Sequence, residues 1–426
     1  MDTNRPIRRR EFVKNTAVGV AALSAAPAYL SALGTNEKLL AGVIGVGRRG
    51  SSHVRNLLKL SKEYNFEIAA VCDIYRPRVD AAAQKTGAKG YADYNELLAR
   101  GDLDFVVIAS PDHWHGQMSI DAVRAGCDVY CEKPWTRYAH EAKEAYRAVK
   151  KEKKILQVGT QHTADGRYWA ARDAIQKGLV GKRVWSQTSY SRNYRHGAWN
   201  YDVDNNASPE NLDWEEFLGT AKPKPFNREH FFRFRKYWDY SGGIATDLHY
   251  HVLAPVLLAI GADFPRRVTS GGGIWVHKDP GHPSPREVPD TFMTLIDMPE
   301  EHSIVIASSL ANDNSLPDLV RGHEATLSIT GGGVEIRPQG LYRDEFVAEH
   351  GKDVISLPAQ PRDNHMVNFL KTVRTRREED LNCGPDLGYK TMVCIAMSVK
   401  AYRENKVLFW DAEKEEIVEN EPAKKA

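Results

Sequence analysis

Lys133 lies in the run Tyr130-Cys131-Glu132-Lys133-Pro134, directly after an apolar, strand-like segment from Cys127 to Cys131. Open α/β sheets bind ligands at the carboxyl ends of their parallel strands, so a lysine there is placed to meet a ligand. Its ammonium would orient and polarise an oxygen of a bound ligand; taken alone, it would read as an ordinary surface lysine. A second dense run is Gly242-Gly243-Ile244-Ala245-Thr246-Asp247-Leu248-His249-Tyr250-His251. If a helix starts at Thr246, Asp247 and His251 stand four residues apart on one face. A carboxylate beside an imidazole fixes the ring and raises its pKa toward the range of a working general base. The same spacing also fits a helix N-cap by Asp247 beside a satisfied core histidine. Spacing alone does not separate the two.

The stretch Gly45-Val46-Gly47-Arg48-Arg49-Gly50 matches G-x-G-x-x-G between a predicted strand and a predicted helix, Ser52 to Leu60. In that setting the pattern reads as a dinucleotide turn. Gly45 permits the tight turn, Gly47 lets backbone approach a pyrophosphate, and Gly50 allows close helix–sheet packing. Arg48 and Arg49 fall within the turn. Asp73 ends the second strand, 23 residues after Gly50, where an acid bonds the adenine ribose hydroxyls. An acid there disfavours a 2′-phosphate, so NAD is expected, with NADP left open by Arg76 and Arg78. Ala109 to His115, with Ser110, Pro111 and His115, follow the third strand and are expected to line the nicotinamide half.

These residues need a scaffold. Short apolar runs at 39–44, 68–72, 105–109, 128–131 and 155–158 alternate with helical patterns such as 119–125 and 140–150, which predicts a doubly wound parallel sheet. After Gly159 longer alternating strands appear, at 291–298, 303–309 and 325–330, separated by glycine-rich turns. They predict an α+β domain on a largely antiparallel sheet. Two late helices, about 364–374 and 386–403, are expected to return toward the first domain. The expected division is 1–34, a leader; 35–159, the dinucleotide domain; 160–362, an α/β substrate and oligomerisation domain; and 363–426, C-terminal helices and tail packing on the body.

The chain has 426 residues, 42% hydrophobic and 27% charged, with a formal net charge of +2, which suits a globular protein with ample core. Five of the basic residues fall within the first 34, against two acids, and the remainder is close to neutral. Nothing suggests a nucleic-acid binder or a stable membrane insertion. Arg9-Arg10-Glu11-Phe12-Val13-Lys14 resembles the twin-arginine export motif and precedes a mildly apolar, Ala/Ser-rich run. It implies the twin-arginine machinery as partner and a bacterial periplasmic location; a disordered basic arm is the alternative. That route carries folded proteins, so a cofactor bound beforehand would be held tightly and travel along. The five cysteines (72, 127, 131, 383 and 394) show no C-x-x-C and read as small buried hydrophobes. His113-Trp-His115 and His249-Tyr-His251 offer imidazole pairs, but no Cys or carboxylate stands beside them at ligand spacing, so no metal is expected.

Taken together and in order, the Gly45–Gly50 turn, Ser110-Pro111 with His115, Glu132-Lys133-Pro134 and the Gly-Gly…Asp247…His251 stretch resemble the glucose–fructose oxidoreductase / inositol dehydrogenase (Gfo/Idh/MocA) family over about residues 38 to 410. The resemblance implies a Rossmann domain followed by an open-faced, mainly antiparallel sheet domain that carries substrate contacts and oligomer interfaces. It implies Lys133, Asp247 and His251 as the catalytic set. His251 would take the hydroxyl proton, Lys133 would bond that oxygen, and Asp247 would hold substrate or orient His251. Glu132 and Gln161 would lie near the cofactor ribose or carboxamide. Many members carry Gly where this chain has His249, a bulkier side chain expected to alter the pocket.

Between Trp185 and Tyr240, 14 of 56 residues are aromatic, against 40 in the whole chain. Aromatic faces suit the C–H faces of sugar rings; packing of a loop-rich subdomain explains them as well. Trp238 and Tyr240, next to Gly242, are the expected substrate-side residues, with Arg233, Arg235 and Lys236 as donors. The run resembles carbohydrate-acting members, including the NAD-dependent α-N-acetylgalactosaminidases. Three functions therefore stand: an oxidoreductase on a sugar, polyol or sugar acid; a glycosidase or lyase with transient ring oxidation and retained NAD; and a non-catalytic dinucleotide sensor, which the intact Lys133, Asp247 and His251 disfavour.

Overall fold

The structure, a computed structural model, describes residues 37–422. The expected leader, with Arg9 and Arg10, and the last four residues lie outside them. Six parallel strands form the first sheet: β1 (Leu39–Ile44), β2 (Phe66–Cys72), β3 (Lys89–Tyr91), β4 (Phe105–Ile108), β5 (Asp128–Glu132) and β6 (Leu156–Gly159). Their order is β3-β2-β1-β4-β5-β6, all parallel, so the chain reverses direction of growth between β1 and β4. That switch point is where an open α/β sheet binds a ligand. β4, β5 and β6 are buried throughout because helices cover both faces. β3, Lys-Gly-Tyr, is too short and polar to announce itself in the sequence.

The late helix His365–Thr375 covers one face, sending Met366, Phe369, Leu370 and Val373 into the same core as Val43, Phe105 and Tyr130. The long helix Pro385–Glu404 packs on Ala139–Glu152, on Tyr250–Ile260 and on the second sheet.

That second sheet has ten strands, in the order 355–358, 333–338, 325–329, 319–322, 183–188, 303–309, 291–297, 267–273, 408–411, 416–418. All neighbours are antiparallel except 303–309 with 183–188. The last two strands come from the tail, which extends the sheet as well as packing on the body. Buried and half-buried residues alternate along 303–309, so one face packs on the helices and the other is open.

Residues 199–240 form a strap between the two sheets. The strap has its own aromatic core of Trp214, Phe217, Phe231, Tyr237 and Tyr240. Backbone bonds tie it to the end of β2: Asp213 N donates to Ile74 O at 3.0 Å and Arg76 N to Asn211 O at 2.9 Å. The Tyr75 hydroxyl donates to Asp204 at 2.7 Å. All five cysteines are free and buried.

Candidate active site

A cavity of about 600 Å³ runs along the carboxyl ends of β1, β2, β4 and β5 and under the strap. Gly45, Gly47, Arg48, Arg49, Asp73, Ser110, Pro111, Glu132, Lys133, Gln161, Asp247 and His251 all line it. Residues 45 to 251 in the chain thus converge on one space.

The first half is built by the Gly-rich turn. Gly45 has φ +81, and a Cβ there would stand 2.7 Å from the backbone of Ala109 and Ser110. A Cβ on Gly50 would collide with the Gly45 carbonyl, so Gly50 sits behind the cavity and lets the helix close on β1. The helix Arg48–Leu60 starts directly after Gly47, with no side-chain cap on its first N–H groups. These groups face the cavity as an anion cradle. Ser110 Oγ is buried in the wall with no partner among the described residues. A turn that admits close backbone approach, uncapped donors and an orphaned hydroxyl fit a dinucleotide.

Asp73 ends β2 as expected. Its two oxygens accept N–H bonds from Val46 at 2.9 Å and Tyr75 at 3.0 Å, so the acid also orders the turn. Burial pushes its carboxyl up, and the Arg78 guanidinium 3.9 Å away works against that. Arg78 lies over the Gly47 Cα and under Phe231 and Phe232 of the strap, at 4.8 and 5.2 Å from their centroids. Arg76 is drawn off toward the Glu210 carbonyl.

In the second half, Lys133 follows β5 and is buried. Its Nζ donates to Asp247 Oδ1 at 2.6 Å and to the Asp247 carbonyl at 2.9 Å. Arg235 Nε donates to the same Oδ1 at 3.0 Å, and Trp199 Nε1 donates to Oδ2 at 3.0 Å. Burial alone would raise the Asp247 carboxyl; the charges of Lys133 and Arg235 outweigh it and hold the group well below the usual carboxylate range. Trp199 adopts φ +66, a strained setting for a large side chain, and its indole is held on Asp247 there.

Asp247 lies in a π-helical turn, Ala245–His249, that runs into the α-helix Tyr250–Ile260. Such turns are frequent at functional sites. Asp112, after β4, fastens this turn to the first domain: its Oδ2 accepts from Ser241 Oγ at 2.7 Å and Thr246 Oγ1 at 3.1 Å.

His251 departs from expectation. Asp247 spends its oxygens on Lys133, Arg235 and Trp199, and no Asp247–His251 hydrogen bond forms. His251 Nδ1 is buried without a hydrogen-bond partner among the described residues, and the ring packs near His162 and Tyr190, at centroid distances of 5.1 and 5.9 Å. Burial, reinforced by the Lys133 charge, pushes its pKa well below 6.5 rather than up.

Other expectations are corrected by position. His115 does not line the cavity: its ring nitrogens face the carbonyls of Pro134 and Ser110, at 2.6 and 2.8 Å, so it braces the two loops. Tyr240 is fully buried in the strap core, its hydroxyl on His230 Nδ1, and Trp238 packs on Tyr402 and Arg403. Neither reaches the cavity. Adjacency to Gly242 misleads, because the chain turns away there. Arg233 and Lys236 hold Glu229 and serve the strap. His249 points away from the pocket, against Phe292 and Thr294 of the sheet, so its bulk leaves the cavity unchanged. Glu132 does line the cavity, yet its Oε1 already accepts from Arg49 at 2.6 Å, His53 at 2.7 Å and Gln161 at 3.3 Å. Burial opposes its charge, and the His53 and Arg49 bonds hold the carboxyl far below its usual range. Trp199, Tyr201 and Arg192 are site residues that the sequence reading did not name. The aromatic enrichment marked their segment without ranking its members.

The description "oxidoreductase family, NAD-binding Rossmann fold" matches residues 39–160, and that family's C-terminal alpha/beta domain matches residues 171–271. An inositol 2-dehydrogenase of Salmonella typhimurium is 33% identical over 147 residues, 34% of this chain and 43% of that protein. The scyllo-inositol 2-dehydrogenase (NAD(+)) of Bacillus subtilis is 32% identical over 144 residues, 34% and 42% of the two chains. The chain thus covers less than half the length of these relatives. Among solved structures, the WlbA dehydrogenase of Chromobacterium violaceum, in complex with NADH and UDP-GlcNAcA, superposes with a TM-score of 0.65 at 20% identity, covering 89% of this chain and 97% of that one. Levoglucosan dehydrogenase with NADH and levoglucosan gives 0.63 at 17% identity, over 87% and 98%. With both of its domain models found in order along one chain, the protein belongs to the Gfo/Idh/MocA oxidoreductase family.

Proposed function

We propose that this chain oxidises a hydroxyl of a sugar, polyol or sugar derivative with NAD. The observation that carries the reading is the convergence of Lys133, Asp247 and His251 on the cavity that also contains the Gly45–Gly50 turn. The Gly-rich turn and the uncapped helix start would hold the pyrophosphate, Asp73 the adenine ribose, and Ser110 and Gln161 the nicotinamide half. NAD, when bound, supplies the hydride acceptor. As the substrate C–H bond gives up its hydride, the hydroxyl loses its proton and a carbonyl forms. Lys133 uses two donor directions on Asp247 and keeps a third for the substrate oxygen. A fixed ammonium there stabilises developing negative charge without reorganising. His251, neutral at ordinary pH, receives the proton. Asp247 anchors Lys133 and Arg235 rather than His251.

A second reading, glycoside cleavage through transient ring oxidation with retained NAD, is favoured by one observation. The strap covers the adenine half and would slow cofactor exchange. A panel of sugars, polyols and aryl glycosides, scored for both nicotinamide absorbance and released aglycone, tests the two. Reduction without aglycone supports the first; aglycone release with no net reduction supports the second.

The Arg9-Arg10 motif supports export to the periplasm by the twin-arginine route. Unchanged fractionation after replacing both by Lys would overturn it. Assembly into a homo-oligomer is supported by the open sheet face, where Met293 is exposed.

A further inference from the structure

Resting on the oxidoreductase reading, we infer that the substrate carries a carboxylate, as in a uronic or aldonic acid, held by Arg192 and Arg235 beside Lys133. Charge in the second half of the cavity is unbalanced. Lys133, Arg192 and Arg235 all line it; Asp247 is the buried carboxylate lining it among them, and buried Asp112, fastened to the turn that carries Asp247, also acts on Arg235, which leaves one of the three cations in excess. The Asp247 carboxylate is shared by two cations, Lys133 at 2.6 Å and Arg235 at 3.0 Å. Asp202 also lines the cavity but is exposed to solvent, which screens it. The other arginines are engaged elsewhere: Arg49 pairs with Glu132, and Arg48 stacks 4.4 Å from the Tyr201 ring centroid at the pyrophosphate end.

Arg192 has no carboxylate partner among the described residues. Its Nη2 donates to the Tyr190 hydroxyl at 2.6 Å, and Tyr190 packs on His251, so the arginine is held close to the reacting end. Arg235 spends Nε on Asp247 and leaves both Nη groups without a hydrogen bond among the described residues. Its plane is fixed by stacking on Phe234 at 4.5 Å. Two fixed guanidinium edges with open donors match the planar, two-oxygen face of a carboxylate. An oxidised nicotinamide adds further positive charge, which strengthens the case for an anionic ligand. A neutral sugar would leave those donors facing it without charge compensation.

The test uses cofactor-loaded protein and matched probes: D-glucuronate against D-glucose, D-galacturonate against D-galactose, and glucose 6-phosphate. Binding is read by calorimetry and redox by nicotinamide absorbance in parallel. At least one uronate should bind about tenfold or more tighter than its neutral partner, the scale of a charged hydrogen-bond pair. Arg192→Gln should bring that preference to within about threefold. Neutral sugars binding as well as the acids, no acid binding, a preference that survives Arg192→Gln, or tighter binding of glucose 6-phosphate would each overturn the inference. A uronate that binds selectively without changing absorbance or being turned over would keep the anion site and count against the oxidoreductase reading. Reduction by neutral sugars alone would do the reverse.

Discussion

Lys133 Nζ reaches both the carboxylate and the backbone carbonyl of Asp247, at 2.6 and 2.9 Å, across 114 residues of chain. The carbonyl and the carboxylate together fix where the ammonium sits. A lysine at the end of β5 and an aspartate in a π-helical turn thereby form one unit that joins the two domains. The remaining ammonium proton is left to the cavity.

Lys133→Met should therefore lower turnover about 10²–10⁴-fold while the folded protein keeps its cofactor. Asp247 keeps Arg235 and Trp199 as partners in that variant, so no unpaired carboxylate is left and melting should drop only modestly. Adding Asp247→Asn also strips Arg235 of its carboxylate, and should lower the melting temperature further without restoring turnover. A double variant that regains activity would show the pair to be structural only.

The pH dependence follows from His251. Its folded pKa lies below 6.5 because burial and the Lys133 charge disfavour the imidazolium. A base with a depressed pKa stays neutral, and so competent, until the pH falls through that lower value. The acid limb of kcat/KM should accordingly fall below pH 6.5, with no His251-dependent loss between 6.5 and 8. His251→Gln should abolish that limb along with most turnover. An acid limb centred at 7 or above would assign the base elsewhere.

The parallel sheet was legible in the alternation of apolar runs and helices, and the Gly-rich turn and Asp73 in their spacing, because these are local features. What failed was spatial. The i, i+4 spacing correctly put Asp247 and His251 on one helix, yet Lys133 and Arg235, brought in by the fold, outcompete the imidazole for the carboxylate. Trp238 and Tyr240 are near Gly242 in sequence but point into the strap or the C-terminal helix. Trp199, 48 residues from Asp247, is the aromatic side chain that touches it, through a backbone conformation no sequence pattern announces.

Cofactor choice should turn on Asp73 and Arg78. The Asp73 carboxylate stands where a 2′-phosphate would bring further negative charge, while Arg78 beside it could neutralise that phosphate. Asp73→Asn keeps one acceptor oxygen, enough for either the Val46 or the Tyr75 N–H group but not both, and removes the repulsion. It should weaken NAD and bring NADP affinity nearer to it, read by titrating cofactor-free protein. Wild-type protein that already binds NADP better than NAD would remove Asp73 from this role.

The strap makes the last prediction. Phe217, Phe231 and Phe232 close over the adenine half of the cavity, and Arg78 is clamped between Phe231, Phe232 and the glycine turn. A dinucleotide leaving that half would have to lift the strap from the end of β2, where the Tyr75–Asp204 bond and the Asp213–Ile74 and Arg76–Asn211 backbone bonds hold it. Release should then be slow, and purified protein should carry dinucleotide through long dialysis. Tyr75→Phe deletes one latch and leaves the ring packing in place. One hydrogen bond is worth about 1 kcal/mol, so release should quicken roughly fivefold. The readout is the fluorescence of bound NADH chased with excess NAD. Release from the wild-type protein within milliseconds, or a Tyr75→Phe rate equal to it, would mean that the strap does not gate the cofactor, and would weaken the retained-NAD glycosidase reading with it.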